Sequence, residues 1–164
     1  MAETLSVTDS IPNSFEHKMK NRFILSIEGI DAFLIRDTKR PSVSIEDTQI
    51  NWLNSYRKIS SGKAVWSDIT VVLHDPIAPS GAQQMTEWLR TVAETVSGRS
   101  GYADFYKRDL QLKVLDPTLT VIELWDIKGA FPKEIDFGDL SQDSANDIMT
   151  ISVTLAVDNC VLQF

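Results

Sequence analysis

The side chains best suited to metal binding or nucleophilic catalysis are few in this sequence. Its two histidines are His17 and His74, and its single cysteine is Cys160. A zinc site needs several His, Cys or carboxylate ligands at short spacings, and a serine or cysteine nucleophile needs a histidine beside it. His74 could serve a nucleophile, but no Gly-x-Ser-x-Gly turn is present. We therefore expect neither a metal site nor a catalytic triad, and we interpret Cys160 as a packing residue.

Two further segments resemble ligand-binding motifs only in part. Residues 61–64, Ser-Gly-Lys-Ala, lack the upstream glycine and the following Ser or Thr of a phosphate-binding loop. Four aspartates follow one another closely near predicted turns, namely Asp136, Asp139, Asp143 and Asp147. Such carboxylates could hold calcium, although capping of turns is the commoner role of aspartate. The sequence indicates no enzyme and no cofactor.

Length and composition favour one globular domain. The chain has 164 residues, of which 43% are apolar and 24% charged, enough for one well-packed core and too few for two. No apolar run approaches the ~18 residues of a membrane span, and the first ten residues lack the pattern of a secretory signal. We expect a soluble protein from a reducing cytoplasm, without stable membrane association.

The negative charge is concentrated in the last third of the chain. Nine acidic and two basic side chains follow Leu115, whereas 14 of each precede it. A surface of this sign repels nucleic acid, because phosphate contacts need Lys and Arg. We expect no specific binding of DNA.

The clearest strand pattern lies near the C-terminus. From Met149 to Val157, apolar residues alternate with Thr150, Ser152, Thr154 and Ala156, as in a strand with one face on a core. The second face is small and uncharged, which suits a sheet that lines a space.

Shorter alternating runs predict further strands over residues 22–28, 32–36, 42–47, 68–74, 104–115, 118–127 and 133–137, and the first two of these are expected to form a hairpin. Ser80 predicts the N-cap of one helix over residues 81–97, with Gly98 ending it. A bend is expected at residues 129–132. The fold class is mainly β, a sandwich or barrel of antiparallel strands with one flanking α-helix. Residues 1–20 are expected to be a flexible arm before a single domain over 21–164.

Residues 48–66 are aromatic and apolar but show no clean period, which predicts a long loop. Exposed aromatic residues beside Arg and Lys are typical of protein interfaces. The candidate contact residues of this segment are Ile50, Trp52, Leu53, Tyr56, Arg57 and Lys58. The alternative is that the segment folds back as a lid on its own core.

Several motifs, taken in order, resemble the tail tube protein family of contractile-tailed bacteriophages. One is Ile-Lys-Gly-Ala-Phe-Pro at residues 127–132, followed by an acidic turn and by Val-Thr-Leu-Ala-Val-Asp at residues 153–158. Another is Trp-Ser-Asp-Ile-Thr-Val at residues 66–71, followed by the helix that carries Trp88. The resemblance extends from about Asn21 to Asp158 and does not include either end of the chain.

The resemblance implies two packed antiparallel sheets with a flanking helix, in a subunit of hexameric rings that stack into a hollow tube. It implies a tail sheath protein, baseplate proteins and a tail terminator protein as partners, and passage of the genome through the lumen. Type VI secretion tubes and other contractile injection systems are similar. The candidate lumen-facing residues are Thr150, Ser152, Thr154, Glu123, Asp126, Asp136 and Asp139, and we expect their acids to keep DNA from adhering.

Other functions remain open from the residues alone. A tube-initiating or baseplate protein with the same fold would be present in few copies. A tube protein of an extracellular contractile injection system would have the same architecture. A monomeric carbohydrate- or ligand-binding sandwich would use Trp52 and Tyr56 as a stacking platform.

Overall fold

The computed structural model describes residues 16–164. Along these residues lie nine strands, two helices and a 3-10 turn at Ala32–Leu34. The strands are β1 Phe23–Ser26, β2 Ile35–Thr38, β3 Val43–Trp52, β4 Ser55–Trp66, β5 Ile69–His74, β6 Arg108–Leu115, β7 Val121–Asp136, β8 Thr150–Ala156 and β9 Asn159–Leu162, and the helices are α1 Gly81–Val92 and α2 Ala103–Tyr106.

Strand β7 belongs to both layers of the domain. Its first half pairs with β6 and β9, and β6 pairs with β1. Its second half pairs with β8, which continues through β5 to β2. All these pairs are antiparallel, so the mainly β, two-layered fold class expected from the sequence is confirmed.

The core lies between the two layers. On β8 the buried residues are Ile151, Val153 and Leu155, as the alternation predicts. They meet apolar residues of the other layer, such as Leu112 and Ile127, in one continuous cluster. In each strand, alternate side chains point toward the core and the others point outward. The outer faces of the two layers therefore lie on opposite sides of the molecule.

Helix α1 covers part of this core. The Ser80 hydroxyl accepts a hydrogen bond from the backbone N–H of Gln83, which confirms the predicted N-cap. The helix ends at Val92 rather than at residue 97, because Ala93 is extended and a turn around Gly98 brings the chain back. Val96, which lies within the predicted helix but beyond the observed one, is exposed.

Three more expectations are corrected by the pairing. Strands β1 and β2 do not form a hairpin with each other, because each pairs with a distant strand. The bend expected at residues 129–132 lies inside one continuous strand, where Gly129 has φ +66. The loop expected over residues 48–66 is strand for most of its length, within the β3–β4 hairpin of residues 43–66.

Candidate assembly surfaces

The β3–β4 hairpin is a sheet of its own. It pairs from Val43 opposite Trp66 to Trp52 opposite Ser55, with Leu53 at φ 49 in the turn. Every residue of β3 is exposed, and only Trp66 at the end of β4 is partly buried. A two-stranded ribbon with no buried face is marginally stable in water. The lid alternative is therefore wrong, since these residues do not cover the domain's own core.

The six candidate contact residues lie at the free end of this hairpin, on two different faces. Ile50 and its partner Arg57 point to one side. Trp52 and its partner Ser55 point to the same side, as the register of the pairs requires. Tyr56 and Lys58 point to the other side, and Lys58 binds Asp47 at 2.8 Å. Trp52 is 76% and Leu53 90% exposed, so the tip presents apolar surface on one side and a charged pair on the other.

Thr150, Ser152 and Thr154 lie on the outer face of β8, as predicted. They stand opposite His74, Val72 and Thr70 of β5. Across the other edge of β8, Asp136 pairs with Ser152. These side chains form one continuous surface, which we call the small polar face (Thr70, Val72, His74, Asp136, Thr150, Ser152 and Thr154).

Two of the predicted lumen acids lie elsewhere. Asp126 is on the outer face of the other layer, where its carboxylate accepts hydrogen bonds from the side chains of Gln111 and Gln163. Glu123 points toward the core side of β7 and is 5% exposed. Since the outer faces of the two layers lie on opposite sides, Asp126 and Ser152 cannot line the same channel wall. The candidate lumen-facing acids are therefore spread over different surfaces of the described chain, and their lumen-facing role stays a prediction.

Glu123 is instead the centre of a partly buried ionic cluster. Its carboxylate accepts hydrogen bonds from the Lys18 ammonium and from the Trp125 indole N–H, the latter at 2.6 Å. Arg40 lies 3.6 Å away. The hydrogen bond from Lys18 is the main reason that the pKa of Glu123 lies below its ordinary value, with Trp125 and Arg40 adding to it. Through Lys18, the cluster binds the start of the described chain to β7.

Local sequence carried no signal for this cluster. Lys18 and Glu123 are 105 positions apart, and neither stands in a recognisable motif. An acidic residue in a core-facing strand position indicates a charge partner in general, but not which lysine or arginine supplies it.

Asp139 lies in the connection between β7 and β8. The acidic segment, residues 136–147, begins at the last residue of β7 and continues into this connection. It contains Asp136, Asp139, Asp143 and Asp147 and no basic residue. It is exposed throughout, and Leu140 is 81% exposed. Among the described residues, no group of three or more His, Cys, Asp or Glu residues could hold a metal ion.

A cavity of about 370 Å³ opens near the edge strands β1 and β2. Four basic side chains line it, namely Lys18, Lys20, Arg22 and Arg40, and Asp37 is the acidic one. Phe23, Leu112 and Val114 supply its apolar wall. We call it the basic cavity. Nothing in the sequence pattern brought these residues together.

No family model matches the chain. The tail tube protein gp19 of Enterobacteria phage T4 is 28% identical to it over 131 residues, covering 77% of this chain and 78% of that protein. The motifs noted above and the two-layered fold agree with this match. The chain is similar to the tail tube proteins of contractile-tailed phages.

Solved structures show the same tail tube fold. A chain in the structure of the anti-feeding prophage tube-terminating cap has a TM-score of 0.73 and 16% identity, covering 97% of this chain and 99% of that one. A chain in the extended sheath–tube complex of the PVC extracellular contractile injection system has a TM-score of 0.68 and 16% identity, with 98% and 99% covered. Each similarity covers nearly the whole chain, and therefore includes the β3–β4 hairpin and both layers.

Two further features concern Cys160 and the helices. Burial raises the pKa of the Cys160 thiol to about 11, so that it stays protonated at neutral pH, as a packing residue would. Within residues 16–164, no helix has the length and apolar character needed to cross a membrane.

Proposed function

We propose that this protein is the building block of the inner tube of a contractile phage tail, assembled as hexameric rings that stack. The observation that carries the proposal is the β3–β4 hairpin, whose apolar residues have no cover within the described chain. Apolar ribbon of this length costs free energy in water and is stabilised when a neighbouring copy covers it. Ile50, Trp52 and Leu53 are the proposed anchors, and Tyr56, Arg57 and Lys58 the proposed polar contacts.

Ring closure follows from two open strand edges. Among the described residues, β2 pairs only with β5, and the second half of β7 pairs only with β8. The four-stranded layer therefore ends in unpaired backbone groups on both sides. Pairing β2 of one copy with β7 of the next satisfies them, and a repeated contact of this kind closes into a ring.

The small polar face is the proposed lining of the lumen. Thr150, Ser152 and Thr154 carry no charge that would bind phosphate, and Asp136 adds negative charge at their edge. Such a wall repels DNA without gripping it, so the genome can slide past. Asp139 lies beyond the end of the strands and Asp126 on the opposite side, so only Asp136 of the predicted acids supports this role.

The proposed partners follow the family. A sheath protein surrounds the tube, and baseplate and terminator proteins cover its ends, which places the protein in the virion tail after assembly in the host cytoplasm. The relatives are structural tail proteins, which favours a role without enzyme activity.

Negative-stain electron microscopy of the purified protein tests the proposal. We expect rings or tubes from the wild type, and monomers from a Trp52→Ala/Leu53→Ala variant that melts at the wild-type temperature. The matched control is Phe105→Ala, which removes an exposed aromatic side chain outside the hairpin and should leave assembly unchanged.

Two other outcomes would favour other functions. Tubes that form only after other tail proteins are added would indicate an initiating or baseplate protein. A stable monomer at every concentration would contradict the tube proposal and favour a ligand-binding sandwich.

A further inference from the structure

The acidic segment and the basic cavity lie at opposite ends of the same layer. Residue Thr150, which follows the acidic segment, stands opposite His74 at the end of β5. Thr38, in the wall of the cavity, stands opposite Val71, and the chain then runs past the start of β5 to Arg40. Three residues of β5 separate Val71 from His74, roughly 10 Å, and Arg40 lies farther in the same direction, so the two features of one copy lie apart along the strands.

The two features are complementary in charge. The segment carries four carboxylates and no cation, whereas four of the five charged residues lining the cavity are Lys or Arg. They are also complementary in polarity, because exposed Leu140 and Ile148 flank the carboxylates, and Phe23, Leu112 and Val114 wall the cavity. Opposite charges around an apolar contact fix register and partner choice at an interface.

The cavity also lies at the end from which the β3–β4 hairpin starts. Arg40 precedes β3 by a few residues, and the backbone of Ser67 donates to Ser42 at 2.9 Å to close the base of the hairpin. A neighbouring copy that covers the base of the hairpin therefore also lies beside the cavity. Repetition of such an end-to-end contact produces a filament with one direction.

We propose that the acidic segment of one copy docks in the basic cavity of a copy in the adjacent ring, and that this contact sets the direction of stacking. The proposal rests on the proposed tube function and adds the residues that join one ring to the next. Asp139 and Asp143 are the proposed acidic partners, and Lys20 and Arg22 the basic ones. Lys18 and Arg40 are already bound to Glu123 within the copy.

A charge exchange tests the contact. We expect Asp139→Lys/Asp143→Lys, and separately Lys20→Glu/Arg22→Glu, to shorten tubes at least about tenfold in mean length, because each leaves like charges facing each other. Combining all four substitutions should return most of that length. The matched control is Glu87→Lys, an exposed acid on α1, which should leave tube length unchanged. Failure of the combined variant to recover, while each parent melts normally, overturns the proposal.

A disulfide ladder locates the contact. A Lys20→Cys/Asp143→Cys variant is oxidised after assembly and run without reductant. We expect covalent chains longer than six copies, since axial bonds continue from ring to ring while bonds within a ring stop when it closes. Glu87→Cys/Asp143→Cys is the control and should give no ladder. Cys160 is buried and should not react.

The outcomes separate this proposal from the function on which it rests. Absence of rings and tubes by microscopy contradicts the proposed tube function. Normal tubes without a ladder, or a ladder that ends at six copies, contradict the docking proposal alone.

Discussion

The sandwich and the β3–β4 hairpin are built from the same secondary structure but by different rules. In β5 and β8, every second side chain is buried against the opposite layer. In β3 and β4, strands of 10 and 12 residues bury no side chain. The sandwich is stabilised by its own contacts, whereas the hairpin has backbone pairing and little else. The difference shows that the sandwich buries its own apolar residues, whereas the hairpin leaves its apolar residues exposed.

The largest expected effect separates two tryptophans. Trp88 is 0% exposed, its indole N–H donates to the carbonyl of Tyr106 at 2.8 Å, and the Arg108 guanidinium lies over its ring. Trp88→Ala should lower the free energy of unfolding by about 3–5 kcal/mol, because it leaves a large cavity. Trp52→Ala should change it by less than about 0.5 kcal/mol in the monomer.

Urea unfolding of both variants, at concentrations where rings do not form, measures these two changes. Equal losses for Trp88→Ala and Trp52→Ala would show that the hairpin is packed on the core, and would remove the distinction between the two regions.

A second pair compares two glycines with positive φ. Gly129 has φ +66, and a Cβ there would lie 2.2 Å from Oδ2 of Asp158. Gly62, in the hairpin, has φ +76 with nothing within 4 Å. Gly129→Ala should cost about 1–3 kcal/mol of stability, since backbone strain adds to a contact with Asp158, whose carboxylate binds Lys107.

Gly62→Ala strains only the hairpin and should leave the main thermal transition where it is. Calorimetry of the two variants checks this. A drop in melting temperature for Gly62→Ala that matches Gly129→Ala would mean that hairpin and sandwich unfold as one unit.

The smallest expected effect concerns two carboxylates and pH. The pKa of Glu123 is lowered in the folded protein, so its ionised form stabilises the fold above the ordinary glutamate pKa of about 4.3, and this contribution is lost as pH falls through the lower, folded value. Glu123→Gln should cost about 1–2 kcal/mol at neutral pH and should make stability fall less steeply below about pH 4.

Asp47→Asn is the hairpin control, because Asp47 and Lys58 are both half exposed and such pairs contribute little. Stability curves of wild type and both variants against pH supply the measurement. Identical curves for wild type and Glu123→Gln would show that the Lys18–Glu123 pair has no net effect.

Much of the sandwich could be predicted because its strands repeat a period of two. The alternation at residues 151–155 identified the buried face of β8, and Ser80 identified the start of α1. The pattern did not indicate where α1 ends, because residues 93–96 continue the helical spacing while hydrogen bonds around Gly98 fold them back. The end of the helix depends on these hydrogen bonds, which local periodicity does not predict.

The hairpin and the acidic residues could not be placed from the sequence, because no local period determines their positions. A ribbon that is exposed on both faces has no need to alternate, so residues 48–66 resembled a loop. The inward direction of Glu123 depends on Lys18 and Arg40, which are remote in sequence. Resemblance to a family predicted a role for these segments, and only the fold supplied their positions.

One strand passing through both layers has a mechanical consequence. Because β7 is hydrogen-bonded to β6 in its first half and to β8 in its second, one covalent segment carries backbone hydrogen bonds of both layers. Sliding of one layer along the other would bend or stretch this segment, so β7 couples the two layers mechanically. We expect such a subunit to transmit an end-on load through both layers together.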